Sequence, residues 1–136
     1  MTREEIRGIN LVPRLNNIHL ARANFTRANF TLSDAPHVNM RGANFTGANF
    51  TKATLYVADL RDTIFTGAIM TKSSFRNAIM SGANLSGVNL VGVDFTEADL
   101  SGADLTGADL TGANLIRANL TLTGADVTKA DLTDVT

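Results

Sequence analysis

The chain has 136 residues, enough for one domain. Twelve Lys and Arg stand against 13 Asp and Glu, a formal charge of −1, so bulk attraction to nucleic acid or to an anionic membrane is not implied. The absence of Cys excludes disulfides, thiolate metal sites and Cys nucleophiles, and 18% charged residues against 44% apolar ones excludes a disordered polar tail.

Residues 1–15 read as an N-terminal cap. Thr2 followed by Glu5 has capping-box spacing and Gly8 is a stop signal, which predicts a short helix over 2–8. Ile6, Ile9 and Leu11 would cover the apolar end of the region from residue 16 on, and Pro13 would help the chain enter that region. No basic segment leads into an apolar one, so no signal peptide is expected and a cytoplasmic location is. No apolar run reaches the ~18 residues of a membrane helix.

From residue 16 to 136 the chain repeats every five residues. Of the 21 positions 20, 25, 30 and so on to 120, 20 hold Leu, Phe or Met, and all seven Phe fall among them. Two residues before each such centre, 14 of 21 positions are Ala; one residue before, 15 of 21 are Asn or Asp. Gly stands two residues after the centre at 42, 47, 67, 82, 87, 92, 102, 107 and 112. Period five matches neither a helix nor a continuous strand. Ala-Asn-Leu in extended conformation points its first and third side chains inward and its second outward. The next two residues must then turn a corner. Gly at the third position of that turn fits type II, which needs φ > 0 there. Where Arg22, Arg27, Lys52, Lys72 or Glu97 stands instead, type I is expected.

Near right-angle corners give four sides and 20 residues per coil. Phe25, Phe45 and Phe65, Phe30 and Phe50, and Phe75 and Phe95 are spaced by 20, so their rings are expected to stack in columns. About six coils then make a rod about 28 Å long at the ~4.8 Å strand spacing. The fold class is all-β: a quadrilateral parallel β-helix, or solenoid. On these repeats the chain resembles the pentapeptide repeat proteins, over roughly residues 16–135. That resemblance implies a right-handed coil, a sealed interior and a bacterial source.

Unit 33–37, Ser-Asp-Ala-Pro-His, is the weakest repeat, and a local irregularity is expected there. In coil 61–80, Ile64, Ile69 and Ile79 hold the outward position on three sides, with Tyr56 and Val57 on the fourth side one coil below. Exposed Ile clusters mark partner surfaces, so Ile64, Ile69, Ile79 and Tyr56 form the candidate interaction surface. Asp94, Asp99, Asp104 and Asp109 fall on successive sides and read as a solvated girdle, not a calcium loop. Near 121–124 the register slips by two, giving centres at 127 and 132, and an open C-terminal edge there would allow a homodimer.

A filled interior leaves no substrate cavity, and His19 and His37 sit at outward or corner positions without catalytic company. No catalytic residue, cofactor, metal or small-molecule substrate is therefore expected. The Asn-x-Thr/Ser sequons at Asn24, Asn29, Asn44, Asn49, Asn84 and Asn119 are products of the repeat. Residues 1–76 carry net +5 and residues 77–136 net −6. Arg22, Arg27, Arg41, Lys52, Arg61, Lys72 and Arg76 could meet nucleic acid, but one Tyr supplies almost no stacking, so that partner is disfavoured. The expected function is a non-enzymatic structural or protein-interaction module. The family resemblance implies an alternative, a DNA mimic binding a type II topoisomerase (gyrase). Mimicry needs acidic stripes, and columns such as Asp34, Thr54, Ser74, Asp94, Asn114 are not stripes.

Overall fold

The structure, a computed structural model, describes residues 19–121 and Thr133. The capping helix over 2–8, the slip near 121–124 with centres at 127 and 132, and part of the six-coil count lie outside the described residues.

Each outward residue makes a parallel bridge to the residue 20 positions on, from His19–Asn39 to Asp99–Asn119. Asn44 shows the pattern. Its N–H donates to the Ala23 carbonyl at 3.0 Å, and its own carbonyl accepts from Phe25 at 2.7 Å. The coil therefore has four sides, and residues 19–118 make five coils. Centres at 20, 40, 60, 80 and 100 define the first side, those at 25 to 105 the second, 30 to 110 the third and 35 to 115 the fourth.

The inward positions fill the tube. All seven Phe are buried, as are the centres Met40, Leu55, Leu60, Met70 and Met80. The expected columns are present: Phe25, Phe45 and Phe65 stack at 5.2 and 5.0 Å, and Phe30 and Phe50 at 4.5 Å, with planes 2–11° apart. Phe75 and Phe95 lie 5.6 Å apart, tilted by 31°. Neighbouring sides add a contact that spacing does not announce, because rings on adjacent sides meet edge to face, as Phe45 and Phe50 do at 5.1 Å. Two polar residues at the small inward position place the hydroxyl on a carbonyl, and a third, Ser33, is buried with its hydroxyl unpaired. Thr63 donates to Leu60 and Ser73 to Met70, each at 2.6 Å.

The corners correct one expectation. The third turn residue has φ between +55° and +70° at all corners from 22 to 117, including Arg22, Arg27, Lys52, Lys72 and Glu97. A type I turn would put φ near −90° there, so these corners are type II like the glycine ones. The cause lies in the next coil. The peptide joining Thr46 to Gly47 accepts from Arg27 below at 2.9 Å and donates to Thr66 above at 2.9 Å. A type I turn flips that peptide, setting carbonyl against carbonyl and breaking both bonds. Stacking thus fixes every corner alike, whatever residue occupies it.

Unit 33–37 keeps the backbone ladder, and its irregularity is local: among the described residues the Ser33 hydroxyl is the one buried side-chain polar group without a hydrogen-bond partner. Asp34 bridges Thr54, Ala35 is buried, and Pro36 takes the second turn position, where its fixed φ is favoured in type II. At the other end, the Arg117 amide donates to the Thr133 carbonyl at 3.0 Å. That acceptor lies 16 residues on, against 19 in the regular ladder from Arg27 to Thr46.

Candidate functional site

The outward Asn or Asp has a structural task. Asn44 Oδ1 accepts from the Thr46 N–H at 2.9 Å and from its hydroxyl at 2.6 Å. Otherwise the amide opening each corner faces solvent without a protein acceptor. The same bond recurs from Asn24–Thr26 to Asn114–Ile116. This explains why Thr or Ser so often comes directly after the centre.

Ile64, Ile69 and Ile79 give that bond up, since Ile offers no acceptor to Thr66, Thr71 or Ser81. All three are exposed, by 39 to 46%. They lie on the second, third and first sides respectively, as the spacing requires. No flat partner can touch them together. Tyr56 stands at the corner after the fourth side, with its ring edge-on to His37 at 6.0 Å. Leu32, at 62% the most exposed large apolar residue among the described ones, is not singled out by the spacing because it sits at a corner position usually held by Gly or a charge. Its break with the corner pattern was the available signal.

Charges pair along and around the tube. Arg61 holds Asp59 at 2.6 Å, Arg41 holds Asp62 at 3.1 Å, Arg76 meets Asp94 at 3.3 Å and Arg117 meets Glu97 at 3.4 Å. The side-chain hydrogen bond from Arg61 keeps the Asp59 carboxyl below the usual carboxylate range. Asp104 is also held low, by the Thr106 backbone N–H and then its hydroxyl. A hollow of about 500 Å³ at the first corner is lined by Ala21, Arg22, Arg41, Gly42 and Asp62. Its Arg41 is engaged by Asp62. Among the described residues no group of three or more His, Cys, Asp or Glu could hold a metal ion, and no helix is long and apolar enough to cross a membrane.

The pentapeptide repeats model matches residues 14–42, 37–67, 55–92 and 94–136. The chain belongs to the pentapeptide repeat family. A search of curated proteins finds no match. Among solved structures, QnrB1, a plasmid-mediated fluoroquinolone resistance protein, is similar at a TM-score of 0.60 and 20% identity, over 100% of this chain and 80% of that one. The pentapeptide repeat protein Rfr23 from the cyanobacterium Cyanothece 51142 matches at 0.36 and 25%, over 90% and 82%. One from the Arabidopsis thaliana thylakoid lumen matches at 0.37 and 25%, over 89% and 74%. The family and the QnrB1 likeness identify the tube as a right-handed quadrilateral β-helix.

Proposed function

We propose that this pentapeptide repeat protein is a non-enzymatic interaction module that works from its outer sides. The observation that carries the reading is the replacement of capping Asn or Asp by Ile64, Ile69 and Ile79. Each replacement forgoes a hydrogen bond and leaves an apolar side chain in water, a double cost that binding would offset. The packed interior supports the same conclusion, because hydrocarbon fills the space in which a substrate would have to sit. A pull-down from the source cell with Ile64→Asn, Ile69→Asn and Ile79→Asn combined is expected to lose a partner that the parent captures. Retention of every partner overturns the assignment of the surface.

The likeness to a fluoroquinolone resistance protein favours a second reading, the DNA mimic that binds a type II topoisomerase (gyrase). The outward columns argue against it. The fourth side reads Asp34, Thr54, Ser74, Asp94, Asn114, and the acidic residues Asp94, Asp99, Asp104 and Asp109 ring the tube instead of running along it. A supercoiling assay decides: protection or inhibition of gyrase at micromolar protein establishes the mimic, and neither effect rejects it.

A further inference from the structure

Each isoleucine has a side to itself; the second and third sides share one outward pattern, Asn, Asn, Ile, Asn, Asp, and among the described residues only the second has Arg at both corners of its first coil. Its outward column reads Asn24, Asn44, Ile64, Asn84, Asp104, with Ile64 in the middle of five. Arg22 and Arg27, both exposed, hold the corners flanking Asn24. At the far end Asp104 is the single charge, and the third turn residues beside it are Gly102 and Gly107. Past Arg22 and Arg27 the flanks are low except where Arg41, Arg61 and Asp62 stand on one of them. Gly42, Gly82 and Gly102 line one corner and Gly47, Gly67, Gly87 and Gly107 the other, seven of the nine left-handed glycines. A side that is basic at one end, apolar in the middle and acidic at the other is complementary to itself turned end for end.

We propose that two copies of this chain associate through the second side as an antiparallel pair, with the two-fold axis crossing at Ile64. The proposal rests on the interaction-module reading and names a second copy as the partner. Under this symmetry Ile64 meets Ile64 and Asn44 meets Asn84. Asp104 enters between Arg22 and Arg27 of the other copy. Parallel rods would instead set Asp104 on Asp104.

The other two isoleucines do not support such an axis. At Ile69 it would set Lys72 on Lys72, and no ion pair holds Lys72 among the described residues. At Ile79 it lies off the midpoint and brings Asp99 over Asp59. On the second side Arg61 and Asp62 also meet their own copies at the corner. Each is already neutralised within its chain, by Asp59 and Arg41. The chain exposes 6624 Å² with its ends included, so one of four sides offers at most about 1,600 Å², a ceiling that leaves room for the ~800 Å² per partner of a stable interface.

Sedimentation velocity at about 100 µM is expected to show a dimer that weakens as salt is raised. Ile64→Asn should raise its dissociation constant about tenfold or more, because a two-fold contact loses both isoleucines. The same substitution supplies the cap to Thr66, so the tube stays intact. Ile69→Asn should leave the dimer unchanged. Because the chain has no Cys, Asn24→Cys and Asp104→Cys variants mixed under mild oxidation should link to each other in preference to themselves. A monomeric parent, a preference for 24–24 links, or equal weakening by Ile64→Asn and Ile69→Asn overturns the pairing. Capture of a different protein by the Ile sides bears only on the broader reading, so the two fail separately.

Discussion

At each corner one residue must enter the left-handed region, and eleven of the described corners do so without glycine. For an L side chain that conformation costs about 1–2 kcal/mol. The cost is borne because the amide at that position must reach the next coil. Leu32, at φ 60° and 62% exposed, gains little burial in return. Leu32→Gly should therefore stabilise the fold by about 0.5–1 kcal/mol, read from the urea midpoint. Gly67 is the converse case. An added Cβ there meets nothing within 4 Å, so Gly67→Ala isolates the backbone contribution and should cost about 1 kcal/mol. No loss in Gly67→Ala would mean that the corner is freer than its ladder implies. Acid should expose a second residue-scale effect. The Thr106 N–H and hydroxyl hold the Asp104 carboxyl below the usual carboxylate range. A carboxylate with a depressed folded pKa contributes stability above its unfolded pKa, and that stability is lost as pH falls through the folded value. Unfolding measured at neutral pH and below about pH 4 should show a smaller acid loss for Asp104→Asn than for the parent.

At the scale of the coil, stability comes from columns. Phe45 stacks on Phe25 and Phe65 and meets Phe30 and Phe50 edge-on at 5.7 and 5.1 Å. Among the described residues Phe95 has a single ring neighbour, Phe75, at 5.6 Å. Phe45→Ala should cost about 3–5 kcal/mol and exceed Phe95→Ala, since the larger share of ring contacts is lost with the cavity. Equal losses would show that volume alone matters. The columns were legible in the sequence because burial acts on each five-residue unit separately, so Leu and Phe at every fifth position declare the inward side. The alternation within Ala-Asn-Phe was legible for the same reason. The corner type was not, because it is set by a carbonyl in another coil. Residue preference for Arg22 or Lys72 therefore pointed to the wrong turn. The isoleucines were visible as departures from Asn or Asp, but their cost was not. Only the bond that the Thr46 N–H donates to Asn44 Oδ1 shows what Ile64 gives up. Leu32 was legible only as a break with the Gly or charge usual at that corner position, and the spacing of the inward centres gives no hint of its exposure.

Over the whole molecule, a solenoid touches only its neighbours along the axis, so coils are interchangeable wherever the columns remain in line. The ladder joins residues 20 apart. Excising 64–83 removes one such interval, joins Thr63 to Asn84, and takes out Ile64, Ile69 and Ile79 together. Asn84 then stands over Asn44 and Leu85 over Phe45, so each side continues with an outward cap and an inward centre. The shortened chain should keep its β circular dichroism and a cooperative melt, at lower stability because four large centres, Phe65, Met70, Phe75 and Met80, are gone. Excising 64–80 removes the same isoleucines but joins Thr63 to Ser81, which throws Ser81 into an outward position and Gly82 into a centre. That chain should fold poorly or not at all. The pair separates fold from surface. If the shortened tube folds and still captures every partner of the parent, the outer Ile positions are decoration on a scaffold. If it folds and loses one, the capture belongs to the sides that were removed, because the rest of the tube keeps its shape.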